Sequence, residues 1–298
     1  GARVGMRCLR PVRKPLPAAD RHTRKAENDC GHDGKITRTE NGVKKIGTIL
    51  ITGASSGLGA EYFKYIANSG DWRMHDVWMI ARDGQKMQAL AERYPQIRAT
   101  VIPLDLADSA SYEQLQQMLQ TRRPDIYALI NNAGFGLLGN LIERDYPGQA
   151  DIVNVNCRAA AAVTCLALPY MRRGGFVLNT CSISSFAPNP RMTVYSASKA
   201  FMFHFSKSLR YELKPRGINV CAVCPGPMKT DFLDVADIPG NSKAFATLPY
   251  CDPAAVAGRA LEYARAGRGV YTPRLFYKFY RLLAKVLPHG LLMPLTKT

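Results

Sequence analysis

GTILITGASSGLGAEYF, residues 47–63, decides the fold. It opens as a short apolar run and breaks into a turn, TGASSGLG (52–59). Its glycines are Gly53, Gly57 and Gly59, spaced G-x-x-x-G-x-G. Glycine lets a chain turn tightly and lets backbone approach a pyrophosphate. The residues that follow, AEYFKYIANSG (60–70), have helical spacing and a glycine stop. A helix N-terminus offers free N–H groups and a favourable dipole to a phosphate. A glycine-rich loop alone can be empty of ligand. Strand before and helix after is the context that favours a nucleotide. The candidate contacts here are Thr52, Gly53, Ser55, Ser56, Gly57, Leu58 and Gly59.

Working outward, strand-like and helix-like segments alternate. VWMIA (77–81), RATVIPLDL (98–106), IYALINNAG (126–134), GFVLNTCS (175–182), GINVCAVCPG (217–226) and GVYTP (269–273) read as further strands. Helical patterns fall between them: 85–94, from Ser109 to about Gln120, from about Pro147 to Met171, from near Tyr195 to Leu213, and 251–267. Strand, helix, strand in repetition predicts parallel strands joined by crossover helices, an α/β doubly wound sheet. Strands this apolar fit burial on both faces. Ligands then bind beyond the C-terminal ends of the strands.

Polar residues gather at those ends. Strand two ends in Ala81-Arg82-Asp83. An acid there binds the ribose 2′-hydroxyl of NAD, and an arginine suits the 2′-phosphate of NADP. Arg82 comes first, so NADP(H) is preferred, with NAD(H) possible. Asp105-Leu106 ends strand three, and Asn131-Asn132-Ala133-Gly134 ends strand four. Asn156 lies in the next helix and Ser182 ends strand five. Tyr195 and Lys199, in VYSASKA (194–200), begin the helix after it. Pro225-Gly226 ends strand six, with Thr230 four residues on.

This ordered set resembles the short-chain dehydrogenase/reductase family over about 46–273. The resemblance implies a Rossmann-like sheet of seven strands, order 3-2-1-4-5-6-7, and an NAD(P)(H)-dependent oxidoreductase. It implies a catalytic set of Asn156, Ser182, Tyr195 and Lys199. Cofactor contacts come from the glycine turn, Arg82, Asp105, Leu106, Asn132, Ala133, Gly134, Tyr195, Lys199, Pro225, Gly226 and Thr230. Three serines crowd strand five; Ser182 stands at the family's usual 13-residue interval before Tyr195. Ser184-Ser185 departs from the Ala-Gly the family often has there.

A phenol is a poor acid at neutral pH, with an ordinary pKa of ~10. A neighbouring ammonium favours the phenolate and lowers that value. Residues i and i+4 share a helix face, so Lys199 can sit beside Tyr195. The resemblance adds that Lys199 holds the nicotinamide ribose and that Asn156 orders a water for proton relay. Ser182 would donate to a substrate carbonyl oxygen. Y-x-x-x-K by itself is an ordinary surface pair; the other motifs turn it into chemistry. The expected partner is a small-molecule ketone or secondary alcohol, lipid-like, acyl or steroid-like. Its alternatives are a non-catalytic dinucleotide sensor and a membrane-associated scaffold.

The formal net charge is +17 over 298 residues. Residues 1–45 hold 12 Lys/Arg against 5 Asp/Glu, residues 264–298 hold 7 against none, and the body between holds 21 against 18. A near-neutral body argues against nucleic acid. Residues 1–45 read as a basic, disordered extension, 46–273 as the dinucleotide-binding catalytic domain, and 274–298 as a basic amphipathic C-terminal segment. In RLFYKFYRLLAKVLP (274–288), cations recur on one narrow stripe with apolar residues over the rest. That helix either packs on its own domain or a second subunit, covering the substrate cleft, or lies at a membrane surface. No uninterrupted run reaches the ~18 apolar residues of a membrane span. Scattered histidines offer no metal site. Eight cysteines in a chain this long form no disulfide framework, and Cys221 and Cys224 face opposite sides of one strand as core thiols. The expected compartment is reducing and cytoplasmic, with a peripheral membrane position open. A homo-oligomer, dimer or tetramer, follows from the resemblance only.

Overall fold

The computed structural model describes residues 47–238 and 242–296. The expected extension 1–45 lies outside the described residues. The sheet has seven parallel strands in the order β3-β2-β1-β4-β5-β6-β7, as the resemblance implied. They are β1 (Thr48–Thr52), β2 (Asp76–Ala81), β3 (Ala99–Pro103), β4 (Ile126–Asn131), β5 (Met171–Thr180), β6 (Asn219–Val223) and β7 (Val270–Tyr271). β1 is buried along its whole length, because helices cover both faces of a sheet wound this way.

The crossovers are α1 (Gly57–Asn68), α2 (Gly84–Glu92), α3 (Ala110–Arg122), a long helix made of α4 (Tyr146–Val153) and α5 (Ala160–Ala167), α6 (Thr193–Leu213) and α9 (Pro253–Arg265). One core lies under α1 and α9, where Tyr62, Phe63 and Ile66 meet Val256, Ala257 and Leu261. The other lies under α3, α5 and α6, with Leu115, Val163 and Leu209. Cys221 belongs to the first of these cores, while Cys224 packs with Cys181 and Met202. Five of the six described cysteines are buried, Cys221 and Cys224 among them as expected; Cys165 on α5 is exposed.

Two boundaries differ from the sequence reading. β5 begins at Met171, where a helix is expected to end and four residues before the expected strand. Arg172 and Arg173 disguise the strand's start, although Met171 is buried and pairs with Ile126. Between α4 and α5 the helix widens into one π turn, Asn154–Ala159. Such turns concentrate at functional sites. The helix Tyr146–Tyr170 is long and apolar enough to cross a membrane by length and composition, but it packs against the sheet through Val163 and Ala167.

Four short helices close the C-terminal edge: α7 (Phe232–Val235), α8 (Lys243–Thr247), α10 (Leu275–Val286) and α11 (His289–Thr296). α10 anchors on Tyr277, which is fully buried and donates its hydroxyl to the Pro249 carbonyl at 2.7 Å. Gly226 makes this possible: a Cβ there would lie 2.2 Å from the Tyr277 ring. Residues 274–296 thus pack into the same compact unit as the sheet.

Candidate active site

A cleft of about 950 Å³ opens at the C-terminal ends of the strands. The glycine turn forms one end. Gly53 and Gly57 have φ of +66° and +51°, values that side chains rarely accept. A Cβ on Gly59 would stand 1.9 Å from the Gly53 carbonyl oxygen, so α1 can cross the turn only with glycine there. The Ser56 side chain makes no cap bond to α1, and the helix's first N–H groups face the cleft. This cradle fits a pyrophosphate.

Most expected contacts line the cleft, from Ser55 and Arg82 through Asp105 and Gly134 to Gly226 and Thr230. Thr52 and Gly59 do not. The Thr52 hydroxyl accepts the N–H groups of Asn132 and Ala133 at 3.0 and 3.1 Å, clamping β1 to the end of β4. The Asn132 amide donates to the Gly53 carbonyl at 3.3 Å and accepts from the Thr180 hydroxyl at 3.2 Å. Thr52 holds the cradle's shape from behind.

The end of β2 settles what Asp83 does. Its carboxylate caps α2, accepting the Lys86 N–H at 2.9 Å, with the Lys86 ammonium at 3.8 Å. Arg82 is exposed and lines the cleft, and so does Lys86, which sequence reasoning missed. The capping position three residues before Lys86 was the available signal. Asp83 caps the helix, and Arg82, Asp83 and Lys86 all line the cleft.

At the other end, Tyr195, Lys199 and Ser182 lie together on the wall, only 8%, 5% and 8% exposed. The Ser182 side chain is near enough to the Tyr195 hydroxyl to lower its pKa. The neighbouring serines have other tasks. Ser185 donates to the Lys199 carbonyl at 2.9 Å, and the Ser184 N–H donates to the Ser182 hydroxyl at 3.1 Å.

The expected lowering of the Tyr195 pKa by Lys199 is corrected here. Burial pushes Tyr195 up to about 12, and the Ser182 side chain pulls the other way without prevailing. Lys199 is itself desolvated, which holds its ammonium below the ordinary value. Its Nζ donates to the Thr180 carbonyl at 2.9 Å and stands 5.7 Å from the centre of the tyrosine ring. Four residues along a helix put the two side chains on one face, as the spacing indicated, but the ammonium points to the β5 end rather than the phenol oxygen.

Asn156 does not line the cleft. It is 2% exposed within the π turn, and its amide is engaged by protein. It accepts the Phe135 N–H at 3.0 Å and donates to the Phe135 carbonyl and the Ser198 hydroxyl, both at 2.9 Å. A Cβ on Gly134 would meet the Asn156 Oδ1 at 2.9 Å. Through its side chain, Asn156 pins the strand-four turn to α6.

Apolar side chains cover much of the remaining wall, Met228, Phe232 and Leu233 from the segment around α7 and Phe276, Tyr280 and Leu283 from α10, with Asn189, Asp231 and Thr247 among them. Phe232 stacks obliquely on Tyr195, ring centres 5.4 Å apart. Sequence patterning showed no chemistry in 231–250, because its contribution is shape.

The profile of the short chain dehydrogenase family matches residues 47–237. The chain belongs to that family. It is 33% identical over 183 residues to a very-long-chain 3-oxoacyl-CoA reductase of Emericella nidulans, a match covering 57% of this chain and 51% of the relative. The chain spans about half to three fifths of the length of such curated relatives. Among solved structures, it resembles a short-chain dehydrogenase from Sphingobium yanoikuyae in complex with NADPH, at 29% identity and a TM-score of 0.66, covering 82% of this chain and 98% of that one. It also resembles the bulky-bulky ketone specific alcohol dehydrogenase from Comamonas testosteroni, at 30% identity and a TM-score of 0.63, covering 82% and 96%.

Proposed function

We propose that the chain is an NADP(H)-preferring oxidoreductase that interconverts a lipophilic, acyl-like ketone and the corresponding secondary alcohol. The observation that carries this reading is the cleft itself. A glycine cradle for a pyrophosphate and a buried Ser182–Tyr195–Lys199 group share one wall system, with an apolar wall opposite.

The residues present fit a dinucleotide. The turn 53–59 and the start of α1 would hold its pyrophosphate. Arg82 and Lys86 would pair with a 2′-phosphate, while Asp83 is committed to capping α2. NAD(H), which lacks that phosphate, is then the poorer partner. Asp105 and Leu106 would flank the adenine side, and Gly134, Lys199, Pro225, Gly226 and Thr230 the nicotinamide side. A bound nicotinamide supplies or accepts a hydride.

The chain's own side chains handle the proton. With its pKa pushed up to about 12, Tyr195 keeps its phenolic proton at neutral pH and can deliver it to a carbonyl oxygen gaining charge. Ser182 has one hydroxyl proton: it can donate it to the same carbonyl oxygen or, with no carbonyl there, to the Tyr195 oxygen, where it favours the phenolate. Lys199 holds positive charge close by in a site with little water, where its effect is strong. Asn156 keeps the Gly134 turn and α6 in register. Met228, Leu233 and Leu283 exclude water and prefer an apolar substrate. The names of the ketone- and acyl-reducing relatives support the same substrate class.

The test is a turnover series on straight-chain ketones of increasing length, run with NADPH and NADH in parallel. The expected result is kcat/KM rising up to about fourfold per methylene, from ~0.8 kcal/mol per buried CH2, until the apolar wall is covered. NADPH should exceed NADH by about tenfold or more, the gain from one well-made phosphate contact. A flat length series would remove the lipophilic substrate. Tight NADPH binding with no turnover of any carbonyl would remove the enzyme.

A further inference from the structure

α10 has two apolar faces, and the domain uses one. Inward, Tyr277 and Ala284 are buried, and Tyr280 and Leu283 wall the cleft. Outward, Leu275, Phe279, Leu282 and Val286 are 81%, 60%, 58% and 73% exposed. At about 100° per residue these four fall within about 60° of one another, a single stripe along the helix. Most surface helices present polar residues there. Arg274, Lys278, Arg281 and Lys285 form a second row whose centre flanks that of the stripe at about 100°. No acidic residue occurs anywhere in 264–298. Among the described residues neither Lys278 nor Lys285 forms an ion pair. Phe276, 53% exposed, lines the cleft and lies where the two faces meet.

We infer that the outward face of α10 docks on an anionic lipid surface. The four apolar side chains enter the acyl boundary, and the exposed Lys278 and Lys285 meet the headgroups, while Arg274 bonds the Tyr250 carbonyl and Arg281 lies over the Phe186 ring. Charge decides the occupant. A row of cations with no acid beside an exposed apolar stripe complements a negatively charged bilayer, and two copies of that row would repel each other across a dimer interface. Docking sets the outer side of an apolar cleft wall against the bilayer. A lipophilic ketone would then reach the cleft along Phe276 without crossing water. This last point rests on the proposed substrate class; the docking does not.

The test is co-sedimentation of the full chain with vesicles of phosphatidylcholine alone and of phosphatidylcholine with 30% phosphatidylserine, near 0.1 M salt. Turnover of a short, water-soluble ketone is read alongside. The expected result is at least tenfold stronger binding to the anionic vesicles. F279S/L282S and K278E/K285E should each weaken that binding about tenfold or more, and both should leave soluble-ketone turnover unchanged. The basic stretch 1–45 stays in place, so any difference belongs to α10. Equal binding by wild type and both variants would overturn the proposal, as would absence of binding to either vesicle. So would a lipid-independent oligomer that F279S/L282S dissolves, because the face would then join two copies. Loss of ketone turnover with vesicle binding intact would instead count against the proposed activity.

Discussion

The cradle and the cap of the cleft are built by opposite means. In the cradle, around β1, β4 and β5, backbone does the work. Gly53 and Gly57 adopt left-handed conformations, Gly59 passes under a carbonyl, and the Thr52 hydroxyl ties two strands. In the cap, made by α7, α8, α10 and α11, side-chain volume does the work, through Phe232, Leu233, Tyr280 and Leu283. The contrast teaches that a cofactor half needs particular residues at particular places, while a substrate half needs only enough apolar surface.

Substitutions break the two halves differently. Tyr277→Ala in the cap should have the largest effect. Removing a fully buried aromatic costs about 3–5 kcal/mol, so thermal unfolding should fall by roughly 10 °C. Long ketones should lose kcat/KM more than short ones, with NADPH binding retained by the folded fraction. Ser182→Ala should lower kcat by about 10² to 10³, the usual cost of one donor to a developing oxyanion. Its pH profile gives the sign. The Ser182 side chain favours the phenolate, so removing it pushes the Tyr195 pKa further up. The rise of alcohol oxidation with pH should therefore move to higher pH.

Gly59→Ala in the cradle should cost about 1–3 kcal/mol, since its Cβ meets backbone that cannot step aside. Titration calorimetry should show NADPH affinity falling and the length preference among ketones unchanged. Arg82→Ala should be smallest, reducing the NADPH over NADH preference about tenfold, or ~1.4 kcal/mol. An equal loss with both cofactors would place Arg82 away from the 2′-phosphate.

The cradle was legible in the sequence because backbone demands leave few residue choices. Glycines at 53, 57 and 59, the Asn132–Gly134 turn and the Tyr195–Lys199 spacing each announce a geometry; alternation indicated parallel strands, and their order came from the family resemblance. Two features of the same region were not legible. The π turn bearing Asn156 has the composition of ordinary helix. The raised pKa of Tyr195 depends on how deeply its surroundings bury it, which no spacing encodes. The cap was legible only as amphipathic periodicity in 274–288. Packing and an interfacial position were opposed readings of that helix, but its inner face packs on the domain while four apolar residues remain outside. Arg82 beside Asp83 was ambiguous as a pair of letters, and the capping bond to the Lys86 N–H, which gives Asp83 a structural task, was not legible there.

In the proposed activity, Tyr195 transfers a proton in a cleft that would also hold a dinucleotide. Tyr195→Phe separates these two functions, since it removes one hydroxyl from a wall position and leaves the glycine cradle untouched. NADPH affinity and ketone turnover should be measured on the same preparation. The account predicts affinity within about threefold of wild type, below ~1 kcal/mol, and turnover reduced by at least about 10³, or ~4 kcal/mol. Turnover near the wild-type value would contradict it.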